Sequence, residues 1–126
     1  MRCNVVKGIG VDIIEIERMK KALWRRPVLE KRLFTLAELT YCRQKANPYP
    51  SLAARFAAKE AVLKALGTGL RGMSWQDIEI EVNALGGPEV ILRGKAALKA
   101  KSLGINKILL SLSHSKDYAV AYALAM

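Results

Sequence analysis

Arg55-Phe56-Ala57-Ala58-Lys59-Glu60-Ala61-Val62-Leu63-Lys64-Ala65-Leu66-Gly67 is the stretch on which the reading of this chain turns. Its small and aliphatic residues suit a helix. Glu60 and Lys64 then stand one turn apart on one stripe, with Arg55 and Lys59 on a neighbouring stripe. A helix carries charge in the middle of an Ala, Phe, Val and Leu pattern where that stripe faces solvent, a partner or a ligand. Asn47-Pro48-Tyr49-Pro50 breaks the chain before it, so Ser51 is expected as its N-terminal cap. Gly67 is expected to close it after Leu66 in the left-handed conformation.

Working outward, Val5 to Ile13 reads as a strand. Ile9, Val11 and Ile13 lie on one face and Gly8, Gly10 and Asp12 on the other. Two glycines beside an acid are expected to leave space next to its carboxylate. A helix follows from about Glu15 to Arg26, ending before Pro27, with Ile16, Met19, Lys20 and Leu23 along one side. A short helix is expected over Val28 to Leu33. Thr35-Leu36-Ala37-Glu38 is a capping box that should open another, reaching about Lys45.

Beyond Gly67 the pattern turns to strands. Ile78, Ile80 and Val82 alternate with polar residues, a turn at Gly86-Gly87-Pro88 leads to a strand over Glu89 to Leu92, and Gly94 to Leu103 reads as a helix closed by Gly104. Ile105 to Ser113 and Tyr118 to Leu124 are expected as two further strands. The fold class is α+β: a small, mostly antiparallel sheet packed on one long central helix, in a single domain over residues 1–126.

The net charge of +10 over 126 residues is the strongest bulk signal. It suits nucleic acid, an acidic protein or a polyphosphate, and charge alone does not choose among them. No aromatic residues are interleaved with the basic ones as a base-stacking platform requires. A basic, non-catalytic nucleic-acid-binding domain is the alternative that rests on charge alone. No apolar run approaches membrane-spanning length, and the apolar stretch after the basic start is broken by Gly8, Gly10 and Asp12, so neither a membrane segment nor a signal peptide is expected. Cys3 and Cys42 lack metal-type spacing and read as free thiols of a reducing cytoplasm.

Asp12 has two readings: a helix N-cap after a strand, or a ligand for a hard divalent ion such as Mg²⁺, which takes one or two carboxylates and completes its shell with phosphates and water. Glu60 is the natural second carboxylate, and its alternative is an ordinary surface pair with Lys64. His114 closes an apolar strand within Ser111-Leu112-Ser113-His114-Ser115-Lys116-Asp117-Tyr118. It is either structural or part of a phosphate pocket with the neighbouring hydroxyls and Lys116. Gly67-Thr68-Gly69-Leu70-Arg71-Gly72 matches neither a Walker loop nor a dinucleotide fingerprint. Arg18, Lys20, Lys21, Arg25 and Arg26, followed by Lys31 and Arg32, suggest a docking surface for an acidic partner.

Three blocks together resemble the holo-[acyl-carrier-protein] synthase family of 4′-phosphopantetheinyl transferases. They are Gly8 to Ile16, then Arg55 to Ala61 continued by Lys64 to Gly69, and Ser111 to Ser115; Ser74 to Ile80 fits as well. The resemblance implies the fold of those transferases. It also implies Mg²⁺-dependent transfer of 4′-phosphopantetheine from coenzyme A to a serine of apo-acyl carrier protein, with release of adenosine 3′,5′-bisphosphate, in support of fatty acid biosynthesis. It maps metal binding and catalysis onto Asp12 and Glu60, and the motif lysine onto Lys64. Coenzyme A contacts map onto Arg55, Lys59, Gly67, Thr68, Gly69 and His114, with His114 near the 3′-phosphate. Docking of the acidic carrier protein maps onto Arg18, Lys21 and Arg25. It further implies a homotrimer with active sites shared between subunits.

Overall fold

The computed structural model describes residues 5–126. Cys3 lies outside them. Strand β1 (Gly8–Glu15) leads directly into helix α1 (Ile16–Arg25). Helices α2 (Val28–Leu33), α3 (Leu36–Arg43) and α4 (Tyr49–Ala65) follow. A single turn of 3₁₀ helix at Trp75–Asp77 opens β2 (Ile78–Val82) and β3 (Pro88–Leu92). Helix α5 (Gly94–Ser102) then leads to β4 (Ile108–His114) and β5 (Tyr118–Ala125).

The α+β class holds, with one amendment. The strands form two sheets: a three-stranded sheet in the order β1-β5-β4 and a separate β2-β3 hairpin, with antiparallel pairing throughout. Helix α4 packs across the first sheet and touches the second. Close packing needs small residues on both surfaces. Ala57, Ala58, Ala61 and Ala65 of α4 are buried, as are Ala119, Ala121, Ala123 and Ala125 of β5.

Gly8 and Gly10 belong to the same contact. A Cβ built on Gly8 would overlap the carbonyl oxygen of Ala65, and one on Gly10 that of Ala61. The space expected beside Asp12 is therefore filled at these glycines by helix backbone. The opposite face of β1 is exposed: Ile9, Val11 and Ile13 keep 55%, 50% and 64% of their surface. In register, Ile9 neighbours Leu124, Val11 neighbours Tyr122 and Ile13 neighbours Val120; Leu109 of β4 also neighbours Leu124. Across β1 and β5 the outer side of this sheet is thus apolar, while β4 adds Ser111 and Ser113 beside Tyr122 and Val120.

Several boundaries move for local reasons. Strand β1 starts at Gly8 and continues through Asp12 to Glu15, so Asp12 pairs in mid-strand with Ala121 and the N-cap position of α1 falls to Glu15. The cap reading of Asp12 is thereby removed. Helix α4 starts at Tyr49, ahead of the expected Ser51, because a proline is tolerated in the first turn, where its missing N–H has no partner to lose. Thr35 and Glu38 form the expected capping box at 3.2 and 2.8 Å. At the other end of α4, Gly67 adopts φ +72°, its N–H donating to Lys64 O and that of Thr68 to Leu63 O, the paired bonds of a left-handed helix stop.

Candidate active site

Strand β1 and helix α4 bring Asp12, Glu60 and Lys64 together. Lys64 does not form the ion pair with Glu60 that is the alternative reading of that carboxylate. Its ammonium donates to Val11 O at 2.9 Å and pairs with Asp12 Oδ1 at 3.2 Å. Half of the Lys64 side chain is exposed, so this pair contributes only about 0–1 kcal/mol and is readily exchanged for another partner. Glu60 is half-buried and accepts no hydrogen bond among the described residues. Burial pushes its carboxyl above the usual carboxylate range and the negative charge of Asp12 pushes it further, while Lys64 partly offsets them.

Two carboxylates in each other's field, one of them without a partner, form an arrangement that a cation relieves. Among the described residues no cluster of three or more His, Cys, Asp or Glu is placed to hold a metal. The donor set therefore suits Mg²⁺, which draws its remaining ligands from substrate oxygens and water, rather than an ion that needs an all-protein cage. Beyond the end of α4, a pocket of about 490 Å³ is lined by Lys64, Gly67, Thr68, Gly69 and Arg71. It unites the glycine turn with Lys64 and adds Arg71, whose place in a glycine-rich stretch read equally well as a connector.

Arg55 and His114 meet in a different pocket, of about 280 Å³, which also takes in Tyr41, Lys45, Ser51 and Ser113. Arg55 is only 5% exposed, and its Nε is buried without a hydrogen-bond partner. Its guanidinium carbon lies 4.5 Å from the centre of the Tyr41 ring. A buried guanidinium N–H left unpaired is costly, and a bound oxyanion satisfies it. Lys116, expected here, instead faces another hollow beside Glu15, Lys20 and Asp117. Arg55 and Glu60 are five residues apart on one helix and so point about 140° apart around its axis. Within one chain, this pocket and the carboxylate pair thus face different sides of α4.

Lys59 is a correction. Its stripe runs beneath α3, where the side chain is fully enclosed: the ammonium pairs with Glu38 Oε1 at 2.7 Å, donates to Trp75 O at 3.0 Å and lies 5.7 Å from the Phe34 ring centre. Burial lowers its pKa and the Glu38 charge holds it up against that. Glu38 Oε2 also accepts the Ile80 N–H at 2.9 Å. Beside it, burial pushes the Glu79 carboxyl up, but hydrogen bonds from Thr35 and Arg93 outweigh it and leave the group below its usual value. Lys59 is an internal strut with no ligand-facing surface. Both carboxylates of this network sit where sequence offered only a cap and an alternating strand.

On α1, Ile16, Met19 and Leu23 are buried, leaving Arg18, Lys21 and Arg25 exposed and without ion pairs among the described residues. Trp24 stands among them 74% exposed, an apolar projection that basic patterning alone did not mark. Cys42 is a free, buried thiol. No helix among the described residues is long and apolar enough to cross a membrane.

Residues 8–123 match the family model of the 4′-phosphopantetheinyl transferase superfamily, and the chain belongs to that superfamily. A holo-[acyl-carrier-protein] synthase of Caldanaerobacter subterraneus subsp. tengcongensis is 53% identical over 118 residues, covering 94% of this chain and 93% of the relative. One from Moorella thermoacetica is 54% identical over 115 residues, covering 91% and 90%. Among solved structures, the holo-[acyl-carrier-protein] synthase of Neisseria meningitidis superposes with a TM-score of 0.89 at 35% identity, covering 97% of this chain and 99% of that one. The Helicobacter pylori enzyme in complex with coenzyme A gives 0.82 at 30% identity, covering 94% and 99%. Within the superfamily the chain is therefore of the holo-[acyl-carrier-protein] synthase type, an enzyme that transfers a substituted phosphate group.

Proposed function

We propose that the chain transfers 4′-phosphopantetheine from coenzyme A to a serine of apo-acyl carrier protein, releasing adenosine 3′,5′-bisphosphate, in a Mg²⁺-dependent reaction that serves fatty acid biosynthesis in the cytoplasm. The observation that carries this reading is the half-buried, unpartnered Glu60 facing Asp12, with Lys64 on the same helical stripe. Asp12 and Glu60 would hold Mg²⁺, which supplies charge neutralisation at the pyrophosphate. Lys64, freed from its weak pair with Asp12, donates to the phosphate oxygen on which charge develops. The serine oxygen forms a bond to the β-phosphorus as the bond from that phosphorus to the bridging oxygen breaks. The electron pair leaves with adenosine 3′,5′-bisphosphate. The serine proton passes to Glu60, or to a water that Glu60 holds.

Arg55, His114, Ser113 and Lys45 receive the 3′-phosphate of coenzyme A, a role supported by the unpaired Nε of Arg55. The Gly67–Gly69 turn receives another part of the same ligand beside Lys64. Because Arg55 and Glu60 face different sides of α4, one coenzyme A is best served by the carboxylates of one copy and the Arg55 pocket of another. The exposed face of Ile9, Val11, Ile13 and Tyr122 supports such an association, as a homotrimer. Arg18, Lys21 and Arg25 steer the acidic carrier protein to the site.

The test is intact mass of an apo-carrier protein incubated with the enzyme and coenzyme A, with and without Mg²⁺. Mg²⁺-dependent addition of phosphopantetheine is expected, and no addition with any divalent metal refutes the proposal.

A further inference from the structure

Tyr41 is an α3 residue that none of the sequence motifs marks, yet two cations converge on its ring. The Arg55 guanidinium carbon lies 4.5 Å from the ring centre and the Lys45 ammonium 5.3 Å. Both distances fall within the range at which a cation is attracted to the electron-rich face of an aromatic ring. The three residues line one pocket together with His114 and Ser113. Neither cation has a carboxylate within ion-pair distance among the described residues, although Glu81 borders the pocket. Like charges held close together without a counter-ion repel, and a shared ring lowers that cost while no anion is bound.

We propose that Tyr41 is a positioning residue that holds Arg55 and Lys45 in place for a phosphate monoester of the substrate. A phosphate monoester carries about −1.5 to −2 charges at neutral pH, so it matches two cations better than the singly charged phosphates of a pyrophosphate diester. Lys45 is exposed, and without the ring its long chain would have to be ordered at the moment of binding. Arg55 is already confined by burial, so the ring sets the direction of its fork rather than its depth. The role rests on the coenzyme A reading given above, and within that reading the monoester is the 3′-phosphate.

The experiment compares the wild type with Tyr41→Leu, Tyr41→Phe and Lys45→Met, using coenzyme A and 3′-dephospho-coenzyme A. Transfer kinetics are read alongside calorimetric binding of each ligand. Tyr41→Leu is expected to raise KM and Kd for coenzyme A about five- to thirtyfold, with kcat changed less than about twofold. Tyr41→Phe, which keeps the ring, restores both constants to within about twofold of wild type. With 3′-dephospho-coenzyme A, Tyr41→Leu adds nothing to the weaker binding already present. Lys45→Met weakens coenzyme A alone, and its effect is less than additive with that of Tyr41→Leu.

Equal losses for the two ligands, a Tyr41→Phe variant as impaired as Tyr41→Leu, or unchanged binding in Tyr41→Leu each overturn the inference. If Tyr41→Leu does not fold, the exposed Lys45→Met decides, since an unchanged preference for coenzyme A over its dephospho form then overturns it. Wild type that binds coenzyme A through Tyr41 but transfers nothing refutes the proposed function and upholds this role. Wild type that neither binds nor transfers refutes both.

Discussion

Lys59 and Glu60 are neighbours in sequence and opposites in fate. Lys59 is wholly enclosed and has a carboxylate, a carbonyl and an aromatic ring around its ammonium. Glu60 is half-buried on another side of the same helix and has no hydrogen-bond partner, only the charges of Asp12 and Lys64 nearby. A buried charge with a complete set of partners stabilises one arrangement and is chemically quiet. A charge left incomplete costs stability until something binds. The two sides of α4 therefore separate structural charge from chemical charge within one residue step.

The strongest way to break this contrast is to remove the incomplete side. Asp12→Ala and Glu60→Ala are each expected to lower transfer activity by about a thousandfold or more while the thermal midpoint stays close to wild type. Activity retained in both variants, measured by intact mass of the carrier, would show that the carboxylate pair is not the reaction centre.

Breaking the complete side should do the reverse. Lys59→Met nearly preserves volume but strands the Glu38 carboxylate, and a loss of about 3–5 kcal/mol in denaturant melts is expected. Adding Glu38→Gln should return part of that loss, because the uncompensated charge is gone. A Lys59→Met protein as stable as wild type would remove the strut role.

A smaller effect tests the strand–helix contact that places Asp12 beside Glu60. Gly10→Ala puts a methyl group into the Ala61 carbonyl, and a cost of about 1–3 kcal/mol in denaturant melts is expected as α4 moves away. Activity should fall with it if the spacing of the two carboxylates matters.

The smallest effect sharpens the comparison through pH. The Glu60 carboxyl titrates above its reference value of 4.5 in the folded protein, so the folded state keeps this proton after the unfolded state has lost it. Its contribution is fully present below that reference value and is lost as pH rises through the raised one. Glu60→Gln should therefore melt at a slightly higher temperature than wild type near neutral pH, with the difference vanishing in acid. Mg²⁺ should raise the wild-type midpoint and leave that of Glu60→Gln unmoved. The opposite pH trend would mean that Glu60 is satisfied after all.

Much of the fold could be read from local signals. The Thr35–Glu38 capping box, the stop at Gly67 and the strand over Ile78 to Val82 appear as expected, because caps, left-handed stops and extended runs depend on residues close in sequence. The alternation does not carry into burial, since Glu79 is buried and Val82 exposed. Boundaries moved where a local rule is permissive, as at Tyr49, with Pro48 at the N-cap and Pro50 in the first turn of α4. Asp12, Glu60 and Lys64 could be singled out as a group from residue type and spacing, and Arg55 with His114 from the family resemblance. Tyr41, Lys45 and Arg71 could not, since an aromatic or basic residue on a helix or loop looks the same whether or not it borders a pocket.

By itself, the sequence determined the elements, their order, the family and the chemical types available for a site, since these follow from covalent identity and short-range periodicity. Only the tertiary structure decided which of two adjacent charges is sealed, that Lys64 rests on Asp12 rather than Glu60, and that Gly8 and Gly10 admit a helix rather than a ligand. Those outcomes depend on which surfaces meet across the 3.6-residue turn of α4 and the two-residue alternation of β1. Burial and pairing are then set by residues some fifty positions apart, as between Asp12 and Lys64.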